Sequence, residues 1–403
     1  MTVRDLFPFF AANPDLAYLD SAATSQKLGS VIEKERIFSS SFNAPIHRST
    51  YSLAFEATEE FENVRGKVAG FLGAKAEEEK AISSSATGAF NLLANSLGYV
   101  EDPKSPLFIG EGDEILLSRS EHNSVLLPFQ ELSRRRGAKI RFLPMTEEGE
   151  VCGWKEAIGE KTKVVAVSRL SNVTGAFAPV REIAQEAHRS GAIVVSDLCQ
   201  AVAHERTDVK ALDIDFAAFS AHKVFGPTGL GFLYGKKPLL DLLPASFFGG
   251  SMVESAWEDK RAVYKKAPWK FEAGTQPVSQ AIAMGPALDF LESRSLNESD
   301  LTRRLLEAAS IRGVKILGPA SEKNRAPILS FALEGVHPHD VAQFMDAHGA
   351  AVRSGHQCAQ ILHRSFGFPS STRASLCAYS EPWEVERFLD LLSAVRPYFL
   401  KGR

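Results

Sequence analysis

Between residues 80 and 235, short β-branched runs alternate with longer helical patterns, and nothing else in the 403 residues constrains the fold as strongly. Glu114–Ser118, Lys163–Ser168, Ala192–Asp197, Ile214–Phe219 and Leu230–Tyr234 read as strands, and 124–136 and 180–190 carry helical periodicity between them. A helix between two strands returns the chain to its starting edge, so the strands pair in parallel and helices cover both faces. The expectation is an α/β fold with a mostly parallel sheet. Ligands in such sheets collect beyond the carboxyl ends of the strands. The residues just past those ends are Glu121 and His122, Asn172, Asp197 and Gln200, and Ser220, His222 and Lys223.

Helix 53–72 shows Phe61, Val64, Val68 and Phe71 at 3-4 spacing, which predicts a buried stripe. After about residue 290 the texture changes. SRSLNESD (293–300) is polar and turn-rich, Asn297 or Ser299 is a candidate cap for the next helix, and a domain boundary is expected there. The last helix opens at Ser380–Glu381–Pro382 and carries Val385, Phe388, Leu389 and Leu392 on one face.

The net charge of −3 lacks the basic surplus that nucleic-acid or membrane-surface binding calls for. No apolar run approaches the roughly 20 residues of a membrane span, and the N-terminus has no signal-peptide core. A cytoplasmic protein is expected. Cys152, Cys199, Cys358 and Cys377 show no CxxC spacing and fit free thiols in a reducing compartment.

Three segments carry chemistry. In FSAHKVFGPTGLGFLYG (219–235) a strand runs into Lys223 among small and apolar neighbours. A loop lysine is ordinarily solvated. One held here loses hydration, which lowers its pKa and suits it to attack a carbonyl. The glycines that follow precede a strand rather than a helix, so they are no dinucleotide fingerprint. In IVVSDLCQAV (193–202), Asp197 ends an apolar strand, either as a helix cap or as the partner of a protonated ring nitrogen. In RSGHQCAQ (353–360), Cys358 lies in a polar, glycine-softened stretch beside His356 and Arg353, where positive charge favours thiolate. A metal site built from His356, Cys358 and His363 has too few ligands at a poor spacing.

Asp-x-x-Gln, then Ser-x-His-Lys, then Arg-x-Gly-His-x-Cys-Ala resembles the class V aminotransferase-fold cysteine desulfurases, and most closely their SUF-type branch, with selenocysteine lyases nearby. YLDSAATSQ (18–26), IHRSTYSLAFEATEEFENVR (46–65), SNVTGAF (171–177), FGGSM (248–252), KAPWKFEAGT (266–275) and TRASLCAY (372–379) extend the resemblance in order over nearly the whole chain. It implies the pyridoxal 5′-phosphate-dependent transferase fold of aspartate-aminotransferase type I. That fold has a mostly parallel seven-stranded sheet in a large domain (20–290). A smaller α+β domain (1–19 and 291–403) carries the cysteine loop.

The resemblance also implies roles. Lys223 holds the cofactor as a Schiff base and moves protons. His122 stacks on the ring and assists acid–base steps, Asp197 pairs with the pyridinium, and Gln200 donates to the ring 3-oxygen. Ala86 (backbone), Thr87, Ser220 and His222 cup the phosphate, joined by Thr275 from the second subunit of a homodimer. Arg373 clasps the substrate carboxylate, Asn172 meets both cofactor and substrate, and Arg353 and Arg48 lie near the mouth. Cys358 takes sulfur from L-cysteine as a persulfide, leaving L-alanine, and passes it to an acceptor protein for iron–sulfur assembly. A resident metal is not implied. The runner-up activities are selenocysteine lyase and cysteine-sulfinate desulfinase, followed by a true aminotransferase. A non-catalytic sulfur-carrier scaffold is the alternative of another class. The sequence departs from the family pattern at Asn123 and Gln357, where many relatives have a second histidine. It also departs at Ser85–Ala86–Thr87, where Ser84 or Ser85 is a stand-in hydroxyl, at DLCQ (197–200) and at Thr275–Gln276.

Overall fold

The computed structural model describes residues 2–76, 79–294 and 298–400. Its centre is a seven-stranded sheet formed by β1 (Lys80–Ser83), β2 (Glu114–Leu117), β3 (Lys139–Phe142), β4 (Thr162–Ala166), β5 (Ile193–Asp197), β6 (Phe216–Ser220) and β7 (Gly231–Gly235). The strand order is β1-β7-β6-β5-β4-β2-β3. Only β7 runs against its neighbours, and the other adjacent pairs are parallel. The alternation between 80 and 235 therefore produces the expected sheet. The strands that escape the sequence reading, β1 and β3, are short, and β3 is an edge strand whose residues are only exposed or half-buried.

Helix α1 (Ser52–Phe71) buries Phe61, Val64, Val68 and Phe71 on one face, as the 3-4 spacing requires. Each such side chain contributes about 1.5–3 kcal/mol on burial. Helices α2 (Ala86–Gly98) and α3 (Asn123–Arg136) start directly beyond β1 and β2. Their N-termini therefore gather at the carboxyl edge of the sheet.

A second sheet, antiparallel throughout, contains β8 (Val314–Leu317), β9 (Ile328–Leu333), β10 (Arg353–Gly355) and β11 (Ser371–Ser375) in the order β8-β9-β11-β10. It has its own core, including Phe331, Val385, Phe388 and Leu392, the last three from the terminal helix α4 (Pro382–Leu400). Residues 2–19 divide between the two cores. Ala17 and Leu19 pack in the smaller one, and Ala17–Tyr18 pairs with Ala350–Ala351. Phe7 and Phe10 pack in the larger one, edge-on to Tyr379 or tilted against it.

Of the two cap candidates near 297, Asn297 lies outside the described residues. Ser299 is the first helical residue of Ser299–Leu306, and the capping position falls to Glu298. Among the described residues no helix is long and apolar enough to cross a membrane.

Candidate active site

The carboxyl edge of the large sheet faces the end of the small one across a cavity of about 210 Å³. Its walls include His122, Asn172, Asp197, Lys223, Arg353, Cys358 and Arg373, and at one end Ser85, Ala86, Thr87, Ser220 and His222. Residues between 85 and 223 thus meet because β1, β2, β4, β5 and β6 all point the same way, and Arg353, Cys358 and Arg373 join them from the side of the small sheet.

Lys223 ends a 3₁₀ turn (Ala221–Lys223) that leaves β6. Ala221, Val224 and Phe225 around it are fully buried, which fixes the backbone and leaves the half-buried lysine to line the cavity. Asp197 is buried, and its Oδ1 accepts the Cys199 N–H at 2.8 Å. It caps a turn; the short helix Ala201–His204 begins after Gln200 instead. The amide of Gln200 donates one N–H to the Ala22 carbonyl at 2.8 Å, and its NH2 group keeps a second donor. Gln200 borders a small recess shared with Asp197, Lys223 and His122.

His122 caps α3. Its Nδ1 accepts the Ser124 N–H at 3.1 Å and faces the Ser124 hydroxyl at 2.9 Å. An accepting Nδ1 places the hydrogen of the neutral ring on Nε2. Burial first, then the Lys223 charge, push the imidazole down to about 4, so it is neutral near pH 7.

At the other end of the cavity, Ser85 caps α2: its Oγ accepts the Gly88 N–H at 3.1 Å. Thr87, one of the exposed residues here, lies 2.6 Å from the Ser124 hydroxyl. The Ala86 N–H, read as a phosphate donor, points at Ser220 Oγ at 2.8 Å. A Cβ on Gly231 would stand 2.4 Å from the Ser85 carbonyl carbon. Only glycine lets β7 approach the start of α2 this closely. Burial, with the Lys223 and Lys27 charges, pushes His222 down to about 4.

Two arginines face the cavity from the small sheet. Arg353 and Arg373 are direct cross-strand partners on β10 and β11, a pairing of like charges that is unfavourable without an anion. Arg373 is 2% exposed. Its Nη1 donates to the Asn172 carbonyl at 3.1 Å and its Nη2 pairs with Asp20 at 3.0 Å, while its buried Nε has no partner. Burial holds the guanidinium below its ordinary range, with Asp20 opposing, and burial raises Asp20 in turn. An orphaned donor beside a second arginine suits an incoming carboxylate.

Of the four thiols, Cys358 is the exposed one; Cys152 is half-buried, and Cys199 and Cys377 are buried. Cys199 also borders the cavity, where burial and the neighbouring Asp197 push its thiol far up. Burial pushes Cys377 up to about 11. Cys358 sits between β10 and the helix Gln360–Ser365. Gln357 and Cys358 have φ of 51° and 56°, a left-handed conformation that costs of order 1–3 kcal/mol per residue. Two hydrogen bonds of 2.8 Å hold them: Asn172 Nδ2 donates to the Gln357 carbonyl and the Asn123 N–H to the Cys358 carbonyl. Nothing stands within 4 Å of where a Gly355 Cβ would be, at φ 119°.

Two expected site residues are elsewhere. Thr275 and Arg48 line a separate cleft of about 730 Å³ with Phe38, Ser251 and Glu272. Within one chain neither is among the residues that line Lys223's cavity. Sequence reading missed Asp20 and Ser124. Their only local signals are the LDSAAT turn and a hydroxyl two residues past His122.

A family profile described as aminotransferase class-V matches residues 17–388. The chain is 41% identical over 395 residues to a probable cysteine desulfurase of Streptomyces coelicolor, covering 95% of this chain and 93% of that protein. It is 39% identical to a cysteine desulfurase of Enterobacter sp., with 94% and 93% covered. Among solved structures, an apo cysteine desulfurase from Thermococcus onnurineus superposes with a TM-score of 0.91 at 33% identity, covering 100% of this chain and 98% of the other. A cysteine desulfurase from Escherichia coli in S-sulfonic acid form gives 0.87 at 31%, covering 98% of each.

Proposed function

Because the chain belongs to the class-V aminotransferase family, we propose that it is a pyridoxal 5′-phosphate-dependent cysteine desulfurase. It converts L-cysteine to L-alanine and keeps the sulfur as a persulfide on Cys358. The observation that carries this reading is that Lys223, Asp197, Arg373 and the exposed thiol of Cys358 share one cavity.

The donor set fits the cofactor. Asp197 is a carboxylate for a protonated ring nitrogen, Lys223 an amine for the aldehyde, and His122 a neutral ring beside both. The start of α2 with Ser85, Thr87, Ser220 and His222 offers donors for a phosphate dianion. When bound, the cofactor supplies an electron sink that weakens bonds next to the substrate's α-carbon.

The remaining work falls to the chain. Arg373, with Nε free, and Arg353 orient the substrate carboxylate. Lys223 Nζ takes and returns the α-proton. His122 stays neutral and donates from Nε2. The Cys358 thiolate attacks the substrate sulfur; the carbon–sulfur bond breaks as the sulfur–sulfur bond forms, and the carbon left behind takes up a proton. Thiol plus L-cysteine thus gives persulfide plus L-alanine with no outside oxidant. Sulfide release then needs a thiol reductant or an acceptor protein.

The reading extends to a homodimer with composite sites. Thr275 and Arg48 border the large cleft, and Tyr51, Phe55, Phe247, Phe248 and Trp257 are exposed on the single chain, more aromatic surface than a monomer comfortably leaves in water. The destination of the sulfur is iron–sulfur assembly through a dedicated acceptor, in the cytoplasm.

The test is alanine and sulfide production from L-cysteine, with and without dithiothreitol, for wild type and Cys358→Ala. Wild type forms alanine catalytically only with reductant; Cys358→Ala loses sulfur release, while selenium or sulfinate elimination survives. Borohydride that traps no adduct at Lys223 would reduce the protein to a scaffold.

A further inference from the structure

Glu121 lies just beyond β2 and no step above uses it. It is 3% exposed. Its Oε1 accepts from the Ser118 hydroxyl at 2.5 Å and from the Ser168 N–H at 2.7 Å, and its Oε2 accepts from the Ser168 hydroxyl at 2.8 Å. One carboxyl group therefore joins the segment after β2 to the segment after β4. These are the two segments that grip the thiol loop: Asn123 N–H holds the Cys358 carbonyl, and Asn172 Nδ2 holds the Gln357 carbonyl.

We propose that Glu121 is a positioning residue for Cys358, a buried staple that fixes the spacing of the two segments whose hydrogen bonds hold Gln357 and Cys358 left-handed. Neither residue is glycine, so both relax toward right-handed or extended backbone once the grip loosens. The staple works in both charge states. Burial, with a smaller push from Asp197 and against the Ser118 and Ser168 donors, raises the carboxyl to about 7. When protonated, Glu121 still accepts the Ser168 N–H and donates its own proton to a serine oxygen. Glutamine reproduces that pattern.

The importance of the thiol's position rests on the reading of Cys358 as the sulfur acceptor; the coupling of Glu121 to the loop does not. The test compares Glu121→Gln, Glu121→Leu and Glu121→Asp in the protein loaded with pyridoxal 5′-phosphate. Amide hydrogen exchange over 355–360 and kcat for L-cysteine are read side by side. Glu121→Leu should speed exchange at 355–360 at least about tenfold while 193–197 stays protected, and lower kcat with little change in KM. Glu121→Gln should match wild type within about twofold in both readouts. Glu121→Asp, one methylene short of bridging both segments, should show the leucine pattern more weakly, and it serves if Glu121→Leu does not accumulate folded. Unchanged exchange at 355–360 in the leucine variant, or in the aspartate variant where leucine fails to fold, overturns the proposal. So does acceleration spread evenly over the molecule. A wild type that makes no alanine sinks the functional reading and leaves the exchange comparison standing.

Discussion

Replacing Arg373 by lysine keeps a positive charge on β11 but removes the planar fork. In the wild-type protein the fork spends Nη1 on the Asn172 carbonyl at 3.1 Å and Nη2 on Asp20 at 3.0 Å, leaving Nε buried and unpartnered. An ammonium placed against Asp20 retains that ion pair, but a single nitrogen cannot also span Asn172 and an incoming carboxylate. The substrate thus loses about one charge-assisted hydrogen bond, roughly 1.5–3 kcal/mol. At about 1.4 kcal/mol per factor of ten, KM for L-cysteine should rise about ten- to 150-fold. Because carboxylate binding is the same in ground and transition states, kcat should fall far less. Steady-state alanine formation measures both constants, and cysteamine, which lacks the carboxylate, is the control. Wild type should prefer L-cysteine over cysteamine, and Arg373→Lys should lose most of that preference. A KM within twofold of wild type, with the preference intact, would refute the assignment of Arg373 and shift the carboxylate contact to Arg353.

Further expectations are independent of that result. His122 and His222 are both held near 4 in the folded chain, below the ordinary histidine value of 6.5. Between those values the unfolded chain binds the extra protons, so stability is full above about pH 6.5 and declines as pH falls toward 4. Urea unfolding of the cofactor-free protein should show this decline, and His122→Gln should make it shallower; an unchanged slope would place His122 in water. Glu272 accepts from Arg65 at 2.7 Å and 3.0 Å and from the Ile82 N–H at 2.7 Å, all buried. Glu272→Ala should cost about 3–5 kcal/mol of unfolding free energy, and a loss below about 1 kcal/mol would mean that water replaces the carboxylate. Light scattering should return the mass of two chains. Mixing Lys223→Ala with Thr275→Ala chains should give hybrid dimers that carry one site with both residues native. Hybrids no more active than the parents would argue that Thr275 serves its own chain.

The route from sequence to site is legible where the information is local. Strand alternation points to a parallel sheet because hydrophobic period and loop length are properties of neighbouring residues. A parallel sheet in turn marks the strand ends, and His122, Asn172, Asp197, Ser220 and Lys223 all stand there. Capping was harder to place. Ser83, Ser84, Ser85 and Thr87 all offer hydroxyls, and where the helix begins decides that Ser85 accepts from Gly88.

What the chain alone determines, then, is the architecture and the inventory of reactive groups, because each follows from residues within a turn or two of one another. Tertiary structure decides how those groups are spent. Asp20 meets Arg373 across 353 residues, Ser220 occupies the Ala86 N–H across 134, and Glu121 reaches Ser168 across 47. It also sets Arg353 opposite Arg373 and sends Thr275 and Arg48 to a different cleft. These pairings depend on sheet register and on how two cores pack against each other. A one-residue slip in β10 would turn Arg353 to the opposite face, and no local pattern in the sequence records which register wins.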